Sequence, residues 1–366
     1  MSSLNVCAQR LVNQHLVTQK LQSGSDVVRL LGAVQAQDYL GAKWALSQRT
    51  RGATDATIEK EISDGAILRT HVLRPTWHFV APADIRWMLA LTAPRVKAIL
   101  AHYDRSLEID ATVLRRSRAV LTRVLAGDNY LTRSELAAAF AKAGVKADGA
   151  GGQRLARLVM HAELDALICS GPRREKQFTY ALLDERAPPV RAMQRDDALR
   201  ELAARYFATH GPATSDDFAW WSGLTKADAT NAVNATEASL EHEVIGGRSY
   251  WFPRARAAKL ESPLVRLLSN YDEYFIGHKD RSAIHAKLRA AGVTAIPTAL
   301  SGHVLTIDGQ IVGGWDRILG AKSVTVRLKP LIALVRTAQS AIKTEIDRFA
   351  DFLGIPVQLQ TVKPLR

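Results

Sequence analysis

The chain has 366 residues, of which 47% are hydrophobic and 23% charged, enough to bury several cores and to predict two to four domains. No apolar stretch reaches the length of a membrane span, and the first residues lack a signal-peptide pattern. With two cysteines there is no disulfide framework either, so we expect a cytoplasmic protein. The formal net charge of +13 favours a polyanionic partner, with nucleic acid the leading candidate.

The first 90 residues combine amphipathic helices with one hairpin. Residues 67–80 alternate apolar and polar side chains on both sides of Arg74-Pro75, which predicts two strands joined by a turn. Helices followed by a hairpin is the order of a winged helix. The helices are predicted at residues 6–16, from residue 26, at residues 43–49 and at residues 56–63.

Two glutamines, Gln35 and Gln37, follow the helix that begins at residue 26. On a continuing helix, side chains at positions i and i+2 diverge, whereas alternate residues of an extended chain point the same way. We therefore predict that the pair lies at a helix end or turn, with both neutral amides aimed at one small polar target. The alternative is a pair of solvated surface residues. Asp38 is a third candidate, ranked below the glutamines because it directly follows Gln37 and faces elsewhere.

The hairpin at residues 67–80 carries four candidate DNA contacts. Arg69 and Arg74 contact phosphate if this wing faces DNA, and His71 and His78 flank Trp77. The histidines have an alternative role as structural hydrogen-bonding partners. His78 is also a candidate for supporting the glutamines.

The helix-and-hairpin pattern recurs after a helical connector at residues 91–116. Thr132-Arg133-Ser134-Glu135 is a capping box that opens the second helix of this module. The third helix presents cations on one face at the spacing of a recognition helix, and the wing at residues 171–176 adds more. An ordinary solvated face is the alternative for the helix. The cations concerned are Arg154, Arg157 and His161 on the helix and Arg173, Arg174 and Lys176 on the wing.

A third copy is predicted at residues 187–259, where the third helix has few cations and a packing or dimer role is favoured. Residues 260–366 are β-rich and end with a helix at residues 330–353 and a short strand. Asp308-Gly309 predicts a hairpin turn, with insertion into a DNA groove as the alternative role. Asp272 and Glu273 either line an active site or form a salt bridge to Arg281. No phosphate loop, nucleophile elbow or metal-ligand cluster is present, so we expect neither cofactor nor metal.

Four motifs together resemble the winged-helix family of the AlkZ and YcaQ DNA glycosylases, and the resemblance covers nearly the whole chain. They are Val34-Gln35-Ala36-Gln37-Asp38, Thr76-Trp77-His78, residues 268–281 and residues 308–315. The resemblance implies a mainly α, α+β fold with three tandem winged helices in a C-shaped arrangement and a β-rich C-terminal domain. The implied modules are residues 1–90, 91–186, 187–259 and 260–366, with the Gln-x-Gln motif in the first.

The resemblance also implies an activity: hydrolysis of the N-glycosidic bond of alkylated purines in double-stranded DNA, including unhooking of interstrand crosslinks. The family's catalytic glutamines correspond to Gln35 and Gln37. Glutamine, not aspartate, at the second position resembles the AlkZ subgroup, which is associated with protection against crosslinking natural products. We expect a monomeric, nucleoid-associated base excision repair enzyme. The alternatives are a non-enzymatic winged-helix regulator or lesion-binding protein and, more remotely, a protein that sequesters a drug.

Overall fold

The computed structural model of the chain describes residues 4–17, 20–147, 150–254, 260–294, 298, 302–320 and 322–361. Within them the fold is α+β with a β-rich C-terminal part, which confirms the predicted class. The chain forms two compact units: unit 1 contains residues 1–59, 203–221 and 226–366, and unit 2 contains residues 60–202 and 222–225. Across the described ranges, every helix is too short or too polar to cross a bilayer.

The predicted helices and hairpins are present, together with short elements that the sequence did not predict. The helices are α1 (Val6–Asn13), α2 (Gly24–Leu31), α3 (Tyr39–Ser47), α4 (Asp55–Ser63), α5 (Ile85–Ser106), α6 (Ala111–Leu125), α7 (Arg133–Lys142), α8 (Gln153–Leu164), α9 (Leu183–Arg186), α10 (Arg195–His210), α11 (Ser215–Ser222), α12 (Lys226–Thr236), α13 (Glu273–Ile276), α14 (Ala286–Ala290) and α15 (Arg336–Leu353). The strands are β1 (Ala33–Gln35), β2 (Leu68–His71), β3 (Trp77–Val80), β4 (Leu131–Thr132), β5 (Ile168–Ser170), β6 (Thr179–Leu182), β7 (Leu240–Ile245), β8 (Arg248–Pro253), β9 (Val265–Leu268), β10 (His303–Ile307), β11 (Gln310–Leu319), β12 (Val324–Pro330) and β13 (Val357–Thr361).

Unit 1 is built on a five-stranded sheet with the order β13-β12-β11-β10-β9. Three aromatic side chains join this sheet to helices α3 and α15: the ring of Phe349 lies 5.0 Å from that of Trp44 and 5.5 Å from that of Trp315. The indole of Trp44 also donates to the carbonyl of Leu267 on β9, at 2.7 Å. The N-terminal helix α3 is therefore fixed to the C-terminal sheet by both apolar packing and a buried hydrogen bond.

The Asp308-Gly309 hairpin is confirmed between β10 and β11. Both residues have positive φ angles, +54° and +77°, as a tight two-residue turn between twisted strands requires. The carboxylate of Asp308 accepts from the backbone N–H of Leu264 at 2.8 Å, and the carbonyl of Gly309 accepts from the hydroxyl of Tyr274 at 2.8 Å. The turn therefore packs against its own unit, as an ordinary structural turn does.

Unit 2 contains the predicted hairpin and the predicted capping box. Strands β2 and β3 pair antiparallel, with Leu68 opposite Val80, on either side of the Arg74-Pro75 turn. Thr132 and Glu135 cap α7 reciprocally. A core that includes Leu121 and Phe140 packs helices α6, α7 and α8 together.

Several boundaries differ from their predictions for local reasons. Helix α6 begins at residue 111, inside the segment predicted as a connector, where Asp110 caps it. Helix α8, predicted over residues 153–167, ends at residue 164, shortly before Ala166 adopts a φ of +54°. Helix α15 begins at residue 336, because Pro330 is still paired with Gly313 in the sheet. The predicted boundary at residue 259 lies outside the described residues, and the three winged-helix modules stay a prediction.

The predicted partner of Asp272 was wrong. Its two carboxylate oxygens accept from Arg49, each at 2.8 Å, and both side chains are at most 1% exposed. Arg281 instead donates to the carbonyl of Phe275. Arg281 is close to Asp272 in the sequence, but the fold pairs Asp272 with Arg49, which is 223 positions away.

Removing one member of this buried pair leaves the other charge uncompensated. We expect Asp272→Ala to lower the free energy of unfolding by about 3–5 kcal/mol, measured by urea denaturation. The control is Asp26→Ala, which breaks an exposed ion pair with Arg29 and removes the carboxylate of the capping box of α2. Each of these two losses should lower the free energy of unfolding by at most about 1 kcal/mol. Equal losses in the two variants would contradict the assignment.

Candidate active site around Gln35 and Gln37

The two glutamines lie in a short extended segment between α2 and α3. Helix α2 ends at Gly32, whose φ is +81°, and β1 then runs through Gln35. Gln35 is 5% exposed, whereas Gln37 is exposed. Helix α3 begins two residues later, capped by Asp38. The pair thus lies outside both helices, in the position expected from its pattern.

A buried carboxylate holds the backbone of this segment. Glu273, which is fully buried, accepts from the backbone N–H of Gln35 at 2.8 Å. Its second oxygen accepts from the indole N–H of Trp221 at 2.8 Å and lies 3.3 Å from Nε2 of His210. These partners satisfy a group that would otherwise be costly to bury. Glu273 therefore contacts the candidate segment through its main chain.

The opposite end of the segment is held by an ion pair. Nη2 of Arg317 lies 3.0 Å from each carboxylate oxygen of Asp38, and Asp38 also accepts from the backbone N–H of Gly41 at 3.0 Å. A Cβ on Gly41 would lie 2.6 Å from an oxygen of Asp38, so glycine is required at this point of the cap. Arg317 lies on β11, so the C-terminal sheet supplies the second anchor.

His303 completes this polar cluster. Its Nδ1 accepts from the backbone N–H of Asn270 at 3.0 Å, and its Nε2 lies 3.0 Å from Nη1 of Arg317. Its ring packs on Trp315 at 4.6 Å. Burial, followed by the positive charge of Arg317, lowers the pKa of His303 to about 4. The imidazole is therefore neutral at pH 7.

The four hairpin candidates lie in unit 2 and are mostly covered. Arg69 is 8% exposed, with its guanidinium 4.4 Å from the ring of Trp77 and 4.5 Å from that of Phe178. His71 is buried and pairs with Glu163. His78 is fully buried, with Nδ1 2.9 Å from the carbonyl of Thr76, whereas Arg74 is half-buried. Their contacts with DNA stay predictions.

The cations of α8 are buried, whereas the predicted recognition face and its alternative, a solvated face, both require exposed side chains. Nε of Arg157 donates to Asp104 at 2.9 Å, and Nε2 of His161 lies 3.0 Å from the same carboxylate. Arg154 donates to the carbonyls of Lys146 and Leu107. Each of the three α8 side chains is at most 7% exposed. The reason is that this face of α8 packs against α5, which supplies Asp104; burial also lowers the pKa of His161.

The three wing cations differ in their exposure and in their contacts. Arg174 is exposed but pairs with Glu135 at 2.7 Å and donates to the carbonyl of Tyr130 at 2.6 Å. The guanidinium of Arg173 lies 5.2 Å from the ring of Phe178, and Lys176 is exposed. Arg69 and Arg173, predicted in separate modules, therefore meet at one aromatic ring.

Chemically, the segment presents two neutral amides beside a carboxylate that is already paired. An amide offers an acceptor oxygen and two N–H donors, so it can orient water or bind a sugar or phosphate oxygen. Among the residues that the structure describes, no three histidine, cysteine or acidic side chains are grouped as metal ligands. Arg317 and His303 had no signal in the sequence, because neither belongs to a local motif with Asp38.

A family model described as "DNA glycosylase AlkZ-like" matches residues 28–352, a range that contains Gln35, Gln37 and the anchors Glu273 and Arg317. The chain belongs to the AlkZ-like DNA glycosylases. Membership confirms the family resemblance and the enzyme class. It does not test the site residues, whose roles stay predictions.

This AlkZ-like glycosylase is similar in sequence and in structure to DNA glycosylases of Streptomyces sahachiroi. It is 24% identical over 331 residues to an interstrand DNA cross-link repair glycosylase, with 85% of this chain and 86% of the relative covered. The solved structure of the DNA glycosylase AlkZ from the same organism matches with a TM-score of 0.77 and 22% identity, over 97% of this chain and 98% of that one. At this identity the structural match shows the shared fold.

The lowered pKa of His303 makes the stability of this glycosylase pH-dependent. Unfolded, His303 titrates near its ordinary value of 6.5, so the unfolded chain binds more protons than the folded chain between pH 6.5 and about 4. The free energy of unfolding should therefore fall as the pH falls through this range, by roughly 3 kcal/mol at most from this group. In His303→Gln, urea unfolding at several pH values should show a smaller loss than in the wild type; identical losses would exclude His303 as a source.

Proposed function

We propose that this DNA glycosylase hydrolyses the N-glycosidic bond of bulky or crosslinked N7-alkylpurines and that Gln35 and Gln37 are its catalytic residues. The observation that carries the proposal is the pairing of Asp38 with Arg317. It leaves the Gln-x-Gln segment with neutral amides and occupies the adjacent carboxylate. The Streptomyces sahachiroi relative is named as an interstrand DNA cross-link repair glycosylase, which supports this substrate class.

A neutral site suits an alkylated purine. Common glycoside hydrolases use one carboxylic acid to protonate the leaving group and one carboxylate as base or nucleophile. A guanine alkylated at N7 already carries a positive charge, so it leaves as a neutral base without being protonated. What the enzyme supplies is a positioned water and stabilisation of the oxocarbenium-like sugar. Amides do both without forming an ion pair with the cationic substrate.

The two glutamines have different exposure, which favours different roles. Exposed Gln37 is accessible to substrate, and its side-chain oxygen orients the attacking water. Gln35 is held at its main chain by Glu273, and its amide oxygen lies against the positive charge that develops on the sugar. Asp38 has a structural role in this mechanism, as cap of α3 and partner of Arg317.

Glu273 and Arg317 are positioning residues in this proposal, because they act through the backbone at Gln35 and the side chain of Asp38. Fixing both ends of a four-residue segment limits the movement of the amides, and a small displacement of a catalytic group is costly. The biological role that fits is unhooking of interstrand crosslinks, and with it self-resistance to a DNA-alkylating natural product.

Loss of either amide should lower base release without unfolding the protein. With duplex DNA containing N7-alkylguanine, we expect Gln35→Ala and Gln37→Ala to reduce single-turnover release about 100-fold each. Gln22→Ala removes an exposed glutamine of the same unit and should leave the rate unchanged. Equal release by all four proteins would remove the catalytic assignment, and lesion binding without release by the wild type would favour a non-enzymatic lesion-binding protein.

Loss of an anchor should affect the rate more than substrate affinity. We expect Arg317→Met to lower kcat by up to about 100-fold with little change in KM, because the reacting geometry is disturbed while DNA contacts are kept. The matched control is Arg327→Met on the neighbouring strand, which breaks an Arg–Asp pair with Asp316 and should keep kcat. If both variants lose kcat equally, the effect is general loss of sheet integrity and Arg317 has no positioning role.

A further inference from the structure

Helix α6 has an unusual charge composition that the proposed chemistry does not use. It contains four arginines, Arg115, Arg116, Arg118 and Arg123, and no acidic residue over 15 positions. It therefore carries +4, against a net charge of +13 for all 366 residues. All four side chains are exposed.

The charges of these arginines are not paired with any carboxylate of the described residues. Among the residues that the structure describes, no carboxylate lies within ion-pair distance of any of them. Arg115 donates to the hydroxyl of Thr112 on its own helix, and Arg116 donates to the carbonyls of Ala143 and Gly144 at 3.2 and 3.0 Å. Their positive charge is therefore not offset locally.

The cations of α6 differ from those of α8 in exposure and in pairing. On α8, Arg157 and His161 share the carboxylate of Asp104 and are buried. On the wing, Arg174 is paired with Glu135. Helix α6 instead keeps its cations in solvent while Leu121 and Leu125, both fully buried, fix its opposite face to the core of unit 2. The guanidinium groups are thus displayed from a firmly packed helix.

We propose that the exposed face of α6 binds the phosphate backbone of double-stranded DNA. From Arg115 to Arg123 the helix rises about 12 Å, which spans several consecutive phosphates of one strand. Guanidinium groups bind phosphate with two parallel hydrogen bonds, and such contacts position a protein on a duplex without reading its sequence. The identity of the polyanion rests on the glycosylase class of the chain, but the surface does not depend on the chemistry at Gln35 and Gln37.

The test is the salt dependence of binding to an undamaged labelled duplex by fluorescence anisotropy. We compare wild type with the triple variant Arg115→Ala/Arg118→Ala/Arg123→Ala. This variant is expected to fold because the three side chains are exposed and alanine has the highest helix propensity. Each phosphate contact contributes about 0.9 to the slope of log K against log salt, so the slope should fall by about 2.7. Between about 50 and 200 mM salt, the wild type should then lose roughly 40-fold more affinity than the variant.

Two controls separate local contacts from general charge. Arg191→Ala/Arg336→Ala/Lys343→Ala removes three exposed cations from other parts of the chain and should change the slope far less. The conservative triple variant, with lysine at residues 115, 118 and 123, keeps the charge and should retain most of the wild-type slope. Thermal unfolding of each variant shows whether the helix is still folded.

The outcomes distinguish this surface from the proposed chemistry. A smaller slope for the alanine variant alone, restored by lysine, supports the surface even if wild type releases no base from a lesion-containing duplex. An unchanged slope, or an equal fall in the control variant, overturns it even if base release is normal.

Discussion

Two adjacent buried carboxylates connect the first 59 residues of the chain to its C-terminal sheet. Asp272 holds Arg49 at the end of α3, and Glu273 holds the backbone at Gln35, just before that helix. Buried carboxylates are retained only when donors satisfy them, and here Arg49 and the backbone of Gln35 come from more than 200 positions away. Unit 1 is therefore assembled from three separate stretches, and the geometry of the candidate site depends on that assembly.

The carboxylates beside the glutamines, those of Asp38 and Glu273, already have hydrogen-bonding partners. Asp38 and Arg317 neutralise each other, burial keeps His303 neutral, and the carboxylate of Glu273 is occupied by the backbone N–H of Gln35 and the indole of Trp221. In unit 2, α6 carries four exposed arginines, and among the described residues no carboxylate lies within ion-pair distance of them. For the proposed N7-alkylpurine substrate, this arrangement would let long-range attraction act on the phosphates while the amides meet the cationic base without an ion pair.

Features with a local cause were predictable from the sequence. The capping box at Thr132 and the turn at Asp308-Gly309 require particular residues at fixed offsets, and both were confirmed. The position of the two glutamines outside both helices was also predicted, and their convergence on one target stays a prediction. Partners from distant positions were not predictable: Arg317 is 279 positions from Asp38. The cations of α8 show the same limit, because their spacing is the same whether the face meets solvent or Asp104.

The discontinuity of unit 1 has a consequence for synthesis. During translation the glutamines emerge from the ribosome early, whereas Glu273 and Arg317 follow more than 200 residues later. A nascent or prematurely terminated chain therefore displays the Gln-x-Gln segment without the groups that hold it in place. The geometry of this segment is therefore complete only after residue 317 has been synthesised.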